Sequence, residues 1–223
     1  MAMANADDWA VQTEARLLDA ALPLVSELGW TRRLVARAAT ATGLTIPEAE
    51  LLLPGGARDL VALLSRRDDE AALAALASVD PTGLRMRERI ARGVEARTET
   101  AMSHPAATRR LAGYLALPQN LALGAHLTWA SADRLWRWAG DASTDENHYS
   151  KRAILAALLG STLAVRLSAS PAAAAQHLER GIGAVMAYEK AKARFGPGDM
   201  LAKAAEAMAR LRYGARGETP TPA

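Results

Sequence analysis

The stretch that decides the fold covers residues 29–57 and reads GWTRRLVARAATATGLTIPEAELLLPGGA. Gly29 and Gly43 close helical patterns, and Pro54-Gly55-Gly56 separates a short apolar run from a long one. The spacing predicts two short helices joined by a tight turn, followed by the start of a long helix. We therefore assign residues 1–56 to a small helix-turn-helix-like subdomain.

Helical patterns continue through the rest of the chain. No alternating run rich in Val, Ile and Thr is bounded by turn residues, so we expect an all-α fold. Pro23 lies inside the first helical pattern and should end or kink that helix near Leu22. The predicted helices cover residues 8–27, 31–41, 46–52, 57–77, 83–103, 106–115, 119–138, 144–167, 171–194 and 199–212.

Breaker residues divide the chain after the N-terminal subdomain into three further parts. Residues 57–195 hold helices joined by short connections, which is typical of a helical bundle. Gly196-Pro197-Gly198 forms a hinge, so residues 196–212 are predicted to be a hinged amphipathic helix. Residues 213–223 are predicted to be a disordered tail.

Composition excludes several classes of function. With 50% hydrophobic residues over 223 positions the chain can bury a large core, and its lack of cysteine excludes disulfides and zinc-thiolate sites. The 27 basic and 24 acidic residues are interspersed, so the net charge of +3 creates no single-sign surface. No run approaches the roughly 18 apolar residues of a membrane span, and the N-terminus does not resemble a secretory signal. We expect a cytoplasmic, bacterial-type chain that is peripheral to the inner membrane.

The sequence contains no recognisable catalytic constellation. The four histidines lie far apart, and none forms a metal-ligand pair at helical spacing. Ser65 and Ser161 lie within helical patterns, not on the strand-to-helix turn that exposes a hydrolase nucleophile. We expect no catalytic residue, no metal and no enzymatic activity, which disfavours the alternative of an enzyme acting on a lipid.

The segment TIPEAELLL at residues 45–53 bears on DNA binding, because the second helix of a helix-turn-helix motif enters the major groove. This segment has two carboxylates and no lysine or arginine, so it would repel phosphate. Arg32, Arg33 and Arg37 on the preceding helix could touch a DNA backbone, but a solvated helix face explains them better because the helix that would enter the groove is acidic. We therefore expect no nucleic-acid partner.

A cluster of tryptophans lies between residues 129 and 138. Trp129, Asp133 and Trp136 are at positions i, i+4 and i+7 and so share one helical face. Such a stripe is commonly core, but a carboxylate between two indoles is costly to bury unpaired and suits an exposed binding face. Both interpretations stay open on spacing alone.

Two neighbouring helices carry apolar residues at helical spacing, with alanine and glycine between them. They suit a plain bundle core, while the small residues also leave room for a tail-shaped cavity. The residues are Leu155, Leu158, Leu159, Thr162 and Val165 on the first helix and Leu178, Ile182, Val185 and Met186 on the second.

The last predicted helix has an apolar face surrounded by cations. This pattern suits a helix lying on a membrane surface, and it also suits docking on the protein's own bundle. The residues that would meet a membrane surface are Leu201, Lys203, Met208, Arg210 and Leu211.

Several of these residues carry a resemblance to a known family. The motifs are Pro118-x-Asn120, Ala132-Asp133-x-x-Trp136 and Gly140-Asp141-x-Ser143-x-Asp145-x-Asn147-x-Tyr149-x-Lys151-Arg152. They are similar to the hallmark of the ubiquinone-biosynthesis accessory family that partners the demethoxyubiquinone hydroxylase, and the similarity extends from about Leu17 to Tyr188. The layout of residues 29–57 likewise resembles the N-terminus of TetR repressors.

The resemblance implies a TetR-like homodimer that does not bind DNA and has no cofactor. Its bundle at residues 57–195 would serve ligand binding and dimerisation, with an apolar cavity for an isoprenoid quinone intermediate or other lipid. The protein would deliver that lipid to the di-iron demethoxyubiquinone hydroxylase. The alternative is a TetR-type transcriptional regulator that senses an apolar ligand.

The resemblance also implies two sets of site residues. The residues facing the hydroxylase would be Leu117, Asn120, Asp133, Trp136 and Arg137. The lipid-binding residues would be Leu121, Trp129, Leu155, Leu158, Leu159, Thr162, Ile182 and Met186.

Overall fold

The computed structural model describes the backbone of residues 2–141 and 146–194, and the side chains of residues 9–141 and 149–187. Over these residues the chain forms α-helices and short 3-10 helices without a β-strand, so the predicted all-α fold is confirmed. The α-helices are α1 (Ala2–Ala21), α2 (Val25–Leu28), α3 (Arg32–Thr42), α4 (Ile46–Leu52), α5 (Ala57–Leu76), α6 (Met86–Ala101), α7 (Pro105–Leu115), α8 (Leu121–Trp138), α9 (Glu146–Ser168) and α10 (Pro171–Arg194).

The first helical pattern is interrupted where the sequence predicts it. α1 ends at Ala21, a 3-10 helix covers Leu22–Leu24 with Pro23 in it, and α2 follows. The proline ring fixes its own backbone angle and removes an N–H donor, so the α-helical hydrogen-bond ladder stops there. α1 begins at Ala2, earlier than the predicted start at residue 8, because no breaker precedes Asp8.

Side-chain caps define the ends of α3 and α4. Thr31 accepts a hydrogen bond from the N–H of Leu34 at the start of α3, and Gly43 ends that helix with a left-handed φ of 75°. Thr45 and Glu48 form a capping box on α4, with Thr45 N–H donating to Glu48 Oε2 over 2.8 Å. The hydrogen bonds from the Thr45 side chain and backbone hold the pKa of Glu48 below its ordinary value.

The N-terminal helices share one apolar core with α5 and α7. Leu17, Leu34 and Leu60 are fully buried in this core, and Leu111 of α7 belongs to the same cluster. A polar link reinforces the contact between α1 and α5, because Arg67 donates to Asp19 over 2.6 Å. The helix-turn-helix-like segment is therefore packed against the helices that follow it.

A second group of helices, α5, α6, α8 and α9, forms the bundle. Gly93 lets α6 approach α8 closely, because a Cβ atom at this position would lie 3.3 Å from Leu135 Cδ2. The chain divides into two compact units, residues 1–179 and residues 180–223, and the described part of the second unit continues α10. None of the described helices is long and apolar enough to cross a membrane.

Candidate functional site

A buried ion network joins α8 to α9 at the positions of the family motif. Arg152 Nε lies 2.6 Å from Asp133 Oδ1, and Arg152 Nη1 lies 3.4 Å from Asp141 Oδ2. The Arg152 side chain is only 2% exposed, so both carboxylates compensate a charge that water cannot reach. Asp133 also pairs with Arg137 over 2.9 Å. The carboxylate between the two indoles is therefore paired within the chain.

The electrostatics of Asp133 follow from these partners. Burial favours the neutral carboxyl and raises its pKa, whereas hydrogen bonds and charge from Arg152 and Arg137 favour the carboxylate. The arginines together outweigh burial, so the pKa of Asp133 lies below its ordinary value. Asp133 is therefore ionised at neutral pH.

The two tryptophans of the stripe also lie between α8 and α9. Trp136 Nε1 donates a hydrogen bond to the backbone carbonyl of Lys151 over 3.0 Å, and Lys151 Nζ lies 5.7 Å from the Trp136 ring centroid. Trp129 stacks on Tyr149 with ring centroids 6.2 Å apart. Both indoles are half-buried, so this face of α8 is partly core and partly surface.

The residues predicted to face a partner differ in how accessible they are. Arg137 is 73% exposed and Leu117 is 43% exposed, whereas Asp133 is 21% exposed. Asn120 is almost fully buried, and its Nδ2 donates to the carbonyl of Tyr114 over 3.0 Å. Asn120 therefore holds the turn between α7 and α8, while Leu117 and Arg137 offer the larger exposed surfaces.

The residues predicted to bind lipid fall into two groups. Leu121 and Met186 are exposed and Trp129 is half-buried, whereas the others are buried. The buried residues are Leu155, Leu158, Leu159 and Thr162 of α9, together with Ile182 in the second unit.

A small cavity lies beside the buried residues of α9. Leu159 lines it, together with Thr98 of α6 and Ser131 of α8, and its volume is about 50 Å³. This space is too small for a lipid, since ligand sites usually measure about 300–1,000 Å³. The hydroxyls of Thr98 and Thr162 are buried and form no hydrogen bond within the described residues.

Next to this cavity lies a cluster of buried charges that the sequence analysis missed. Asp68 and Asp69 of α5 are each 5% exposed, and both pair with Arg97 of α6. Ser131 of α8 donates to Asp69 over 2.6 Å. Burial raises the pKa of Asp68, and the neighbouring Asp69 adds to that effect against the opposing charge of Arg97. In the sequence Asp68 and Asp69 lie within the charged run Arg66-Arg67-Asp68-Asp69-Glu70, which resembles a solvated helix face, so no local signal marks this cluster.

The two helices relevant to DNA binding, α3 and α4, differ in the kinds of side chain that they expose. On α4, Leu51 is 83% exposed and Glu48 is engaged in the capping box. On α3, Arg32, Arg33 and Arg37 are exposed and form no ion pair with a described residue. The acidic and apolar character predicted for α4 therefore lies beside three solvent-facing cations.

Some predicted residues lie outside the described part of the chain. Ser143 and Asp145 of the family motif are among them, and the side chain of Asn147 is not described. The predicted membrane-surface residues, Leu201, Lys203, Met208, Arg210 and Leu211, also lie outside the described residues. Among the side chains that are described, no group of three His, Asp or Glu residues could hold a metal ion.

These features define a class: an all-helical protein with a helix-turn-helix-like N-terminus and a bundle in which an ion network and two tryptophans join α8 to α9. The COQ9 family model matches residues 121–189, which contain that pair of helices. The resemblance to the ubiquinone-biosynthesis family is therefore confirmed.

Curated relatives of this chain are also ubiquinone biosynthesis proteins by name. The chain is 29% identical over 168 residues to the ubiquinone biosynthesis protein COQ9, mitochondrial, of Homo sapiens, covering 71% of this chain and 52% of that protein. It is 28% identical over 169 residues to the protein of that name from Xenopus tropicalis, covering 71% of this chain and 52% of the relative. The rat protein is 29% identical over 168 residues, covering 71% and 53%. The chain thus spans about half the length of the curated relatives it matches.

Proposed function

We propose that this protein acts in ubiquinone biosynthesis as a lipid-binding accessory protein, without catalytic activity of its own. In this proposal a homodimer, peripheral to the inner membrane of a bacterial-type cell, binds an isoprenoid quinone intermediate. It then presents that lipid to the demethoxyubiquinone hydroxylase. The observation that carries the proposal is that the residues matched by the COQ9 family model contain the whole α8–α9 network.

The proposed hydroxylase surface is centred on the exposed part of α8. Arg137 reaches solvent and is anchored by Asp133, and Trp136 is fixed against α9 by its hydrogen bond to Lys151. Arginine and tryptophan held in fixed positions are the residue types that contribute most strongly to protein–protein binding. Asp133 would act here as a positioning residue, because its charge is already compensated within the chain.

The proposed lipid site lies among the buried residues of α9. The cavity lined by Leu159 must widen to admit a quinone, which requires local separation of α6, α8 and α9. The buried hydroxyls of Thr98 and Thr162 support a quinone ligand, because each could donate to a carbonyl oxygen and so gain a missing partner.

Native mass spectrometry of the purified full-length chain, followed by lipid extraction, tests the lipid-binding part. We expect a dimer that carries ubiquinone intermediates or other isoprenoids. A dimer without any bound lipid, even after incubation with a demethoxyubiquinone, would contradict this part of the proposal.

A pull-down with the demethoxyubiquinone hydroxylase tests the partner surface. Arg137→Gln should weaken capture because it removes an exposed charge, while Asp133 stays paired with Arg152 and thermal stability changes little. Arg92→Gln is the matched control, since Arg92 is an exposed arginine of α6 outside the proposed surface. Equal capture of both variants would exclude this face of α8 as the binding surface.

One observation favours a second candidate, a TetR-type regulator that senses an apolar ligand. The exposed arginines Arg32, Arg33 and Arg37 on α3 could contact a phosphate backbone. An electrophoretic mobility shift with the promoter region of the protein's own gene at physiological salt tests it. A mobility shift that is lost in the triple variant Arg32→Ala/Arg33→Ala/Arg37→Ala would favour the regulator over the accessory protein.

A further inference from the structure

An open groove of about 710 Å³ lies between the turn that joins α2 to α3 and the outer face of α7. Its volume is within the usual range for sites that bind small ligands. None of its lining residues belongs to α8 or α9, so it is separate from the network and from the small cavity described above. The lining residues that matter for its chemistry are Trp30, Arg109, Arg110, Gly113, Tyr114 and Leu117.

Two arginines of α7 place fixed positive charge at the groove. Arg110 Nη2 donates to the carbonyl of Ser26 over 2.7 Å, and Arg109 Nη2 donates to the carbonyl of Leu167 over 2.9 Å. A carbonyl orients a guanidinium without neutralising it. Within the described part of the chain no carboxylate lines the groove, and neither arginine forms an ion pair there. Each guanidinium has five N–H donors, so donors remain available to a ligand.

The rest of the groove is apolar and partly aromatic. Trp30 is 4% exposed, Tyr114 is half-buried and Leu117 is 43% exposed. Gly113 keeps the α7 side open, because a Cβ atom at that position would meet nothing within 4 Å. A ligand here would contact apolar side chains and the cationic side chains of Arg109 and Arg110, both of which line the groove.

We propose that this groove binds an amphiphilic anion, namely a molecule with one carboxylate or phosphate group joined to an apolar body. Charge complementarity selects the anion, because arginine binds carboxylate and phosphate oxygens with two parallel hydrogen bonds. The apolar lining selects the body, because covering Leu117 and Tyr114 removes apolar surface from water. Inorganic phosphate would satisfy only the first of these requirements, and a neutral alkyl chain only the second.

Isothermal titration calorimetry on the full-length protein tests the proposal with decanoate and decyl phosphate, each below its micellar concentration. We expect both to bind, with inorganic phosphate and decanol at least about tenfold weaker, because decanol lacks the charge-assisted hydrogen bonds and inorganic phosphate lacks the apolar body. Binding of inorganic phosphate as tight as that of decyl phosphate would reduce the site to a simple ion site. Equal binding of decanol would remove the role of the arginines. Either result overturns the proposal.

Two sets of variants locate the binding. The double variant Arg109→Gln/Arg110→Gln should weaken decyl phosphate binding about tenfold or more, whereas Arg58→Gln, at an exposed arginine outside the groove, should not. Because the double variant also loses two links to backbone carbonyls, Gly113→Leu provides an independent test.

Gly113→Leu should block the groove without a clash in α7, and Gly183→Leu is its control at another open helical glycine. Unchanged decyl phosphate binding in Gly113→Leu would place the ligand elsewhere and overturn the proposal. The groove shares Leu117 with the proposed partner surface, but the tests of the proposed function use quinone extraction and a substitution at Arg137, neither of which involves Gly113, Arg109 or Arg110. Failure here therefore leaves the proposed function untouched.

Discussion

The guanidinium of Arg152 on α9 lies 2.6 Å from the carboxylate of Asp133 on α8. Asp141 completes the pairing from beyond the end of α8, and Trp136 adds a hydrogen bond to the backbone of α9. The motif residues that carry the family resemblance therefore also hold α8 and α9 together. Substitutions within this motif must be tested for stability before any loss of partner binding is interpreted.

Arg152→Met should destabilise the protein by about 1–3 kcal/mol, because Asp133 and Asp141 lose their buried partner and keep only the more exposed Arg137 and Lys151. Urea denaturation followed by circular dichroism measures this change. Arg87→Ala is the matched control, since its ion pair with Glu179 is exposed on both sides and should contribute less than about 1 kcal/mol. Equal effects of the two variants would show that the network does not stabilise the α8–α9 pair.

Asp133 should make stability sensitive to acid. Its pKa is lowered in the folded state, so the folded protein binds fewer protons than the unfolded chain, and its contribution is lost as pH falls through the folded-state pKa. In Asp133→Asn this part of the acid dependence should disappear. Urea denaturation of both proteins at several pH values from about 7 down to below the ordinary Asp pKa of about 3.9 tests the prediction. Parallel curves for the two proteins would contradict it.

Asp68 should have the opposite dependence on pH. Its pKa is raised in the folded state, so its protonated form is favoured there, and the free energy of unfolding should decrease as pH rises from the ordinary Asp value toward the folded-state pKa. Asp68→Asn should lack this decrease, while Arg97 keeps its pairing with Asp69. The same series of urea denaturation curves measures this decrease in the free energy of unfolding. If the wild-type protein instead gained stability relative to Asp68→Asn as pH rises, the predicted direction would be wrong.

Thr162→Val should separate lipid binding from stability. The buried hydroxyl has no hydrogen-bond partner among the described residues, so an apolar side chain of the same shape should raise the free energy of unfolding by about 1 kcal/mol. If the hydroxyl donates to a quinone carbonyl, the same variant should retain less quinone on purification. Thermal denaturation and lipid extraction measure the two effects. Lower stability in the lipid-free variant would mean that the hydroxyl has a partner in the apo protein.

Two helical glycines should respond differently to alanine. Gly113→Ala should stabilise the protein by about 0.5–1 kcal/mol, because the new methyl group meets open space and alanine favours the helix. At Gly93 the methyl group would meet Leu135, so Gly93→Ala should gain less, and Gly93→Leu should destabilise by about 1–3 kcal/mol. Chemical denaturation of the three variants compares them. A stable Gly93→Leu variant would show that α6 and α8 can move apart.

The helical elements were largely predictable, because local residues set their ends. Pro23 ends α1, Gly43 takes the left-handed conformation after α3, and Thr45 caps α4. Each of these signals acts within one helical turn. The start of α1 was placed too late because no such signal marks it.

The site was less predictable because its contacts depend on how helices face one another. Spacing placed Asp133 beside two tryptophans, but nothing local indicated that Arg152, nineteen positions later, would neutralise it. Asn120, which the family resemblance places on a partner surface, also holds a turn by donating a hydrogen bond to the carbonyl of Tyr114, and this contact has no local signal either. Asp68 drew no interpretation, since its pairing with Arg97 requires α5 and α6 to be docked.

The bond from Arg110 to the carbonyl of Ser26 spans 84 positions, and the core beneath it unites α1, α3, α5 and α7. A ribosome adding roughly 5–20 residues per second needs about 4–17 s to make that intervening chain. During synthesis, part of the apolar face of the helix-turn-helix-like segment therefore stays exposed until α7 has been made. The segment resembles an independently folding module in sequence, but its core includes a helix that is synthesised much later. Nascent chains that end before α7 are therefore expected to expose apolar surface that chaperones bind.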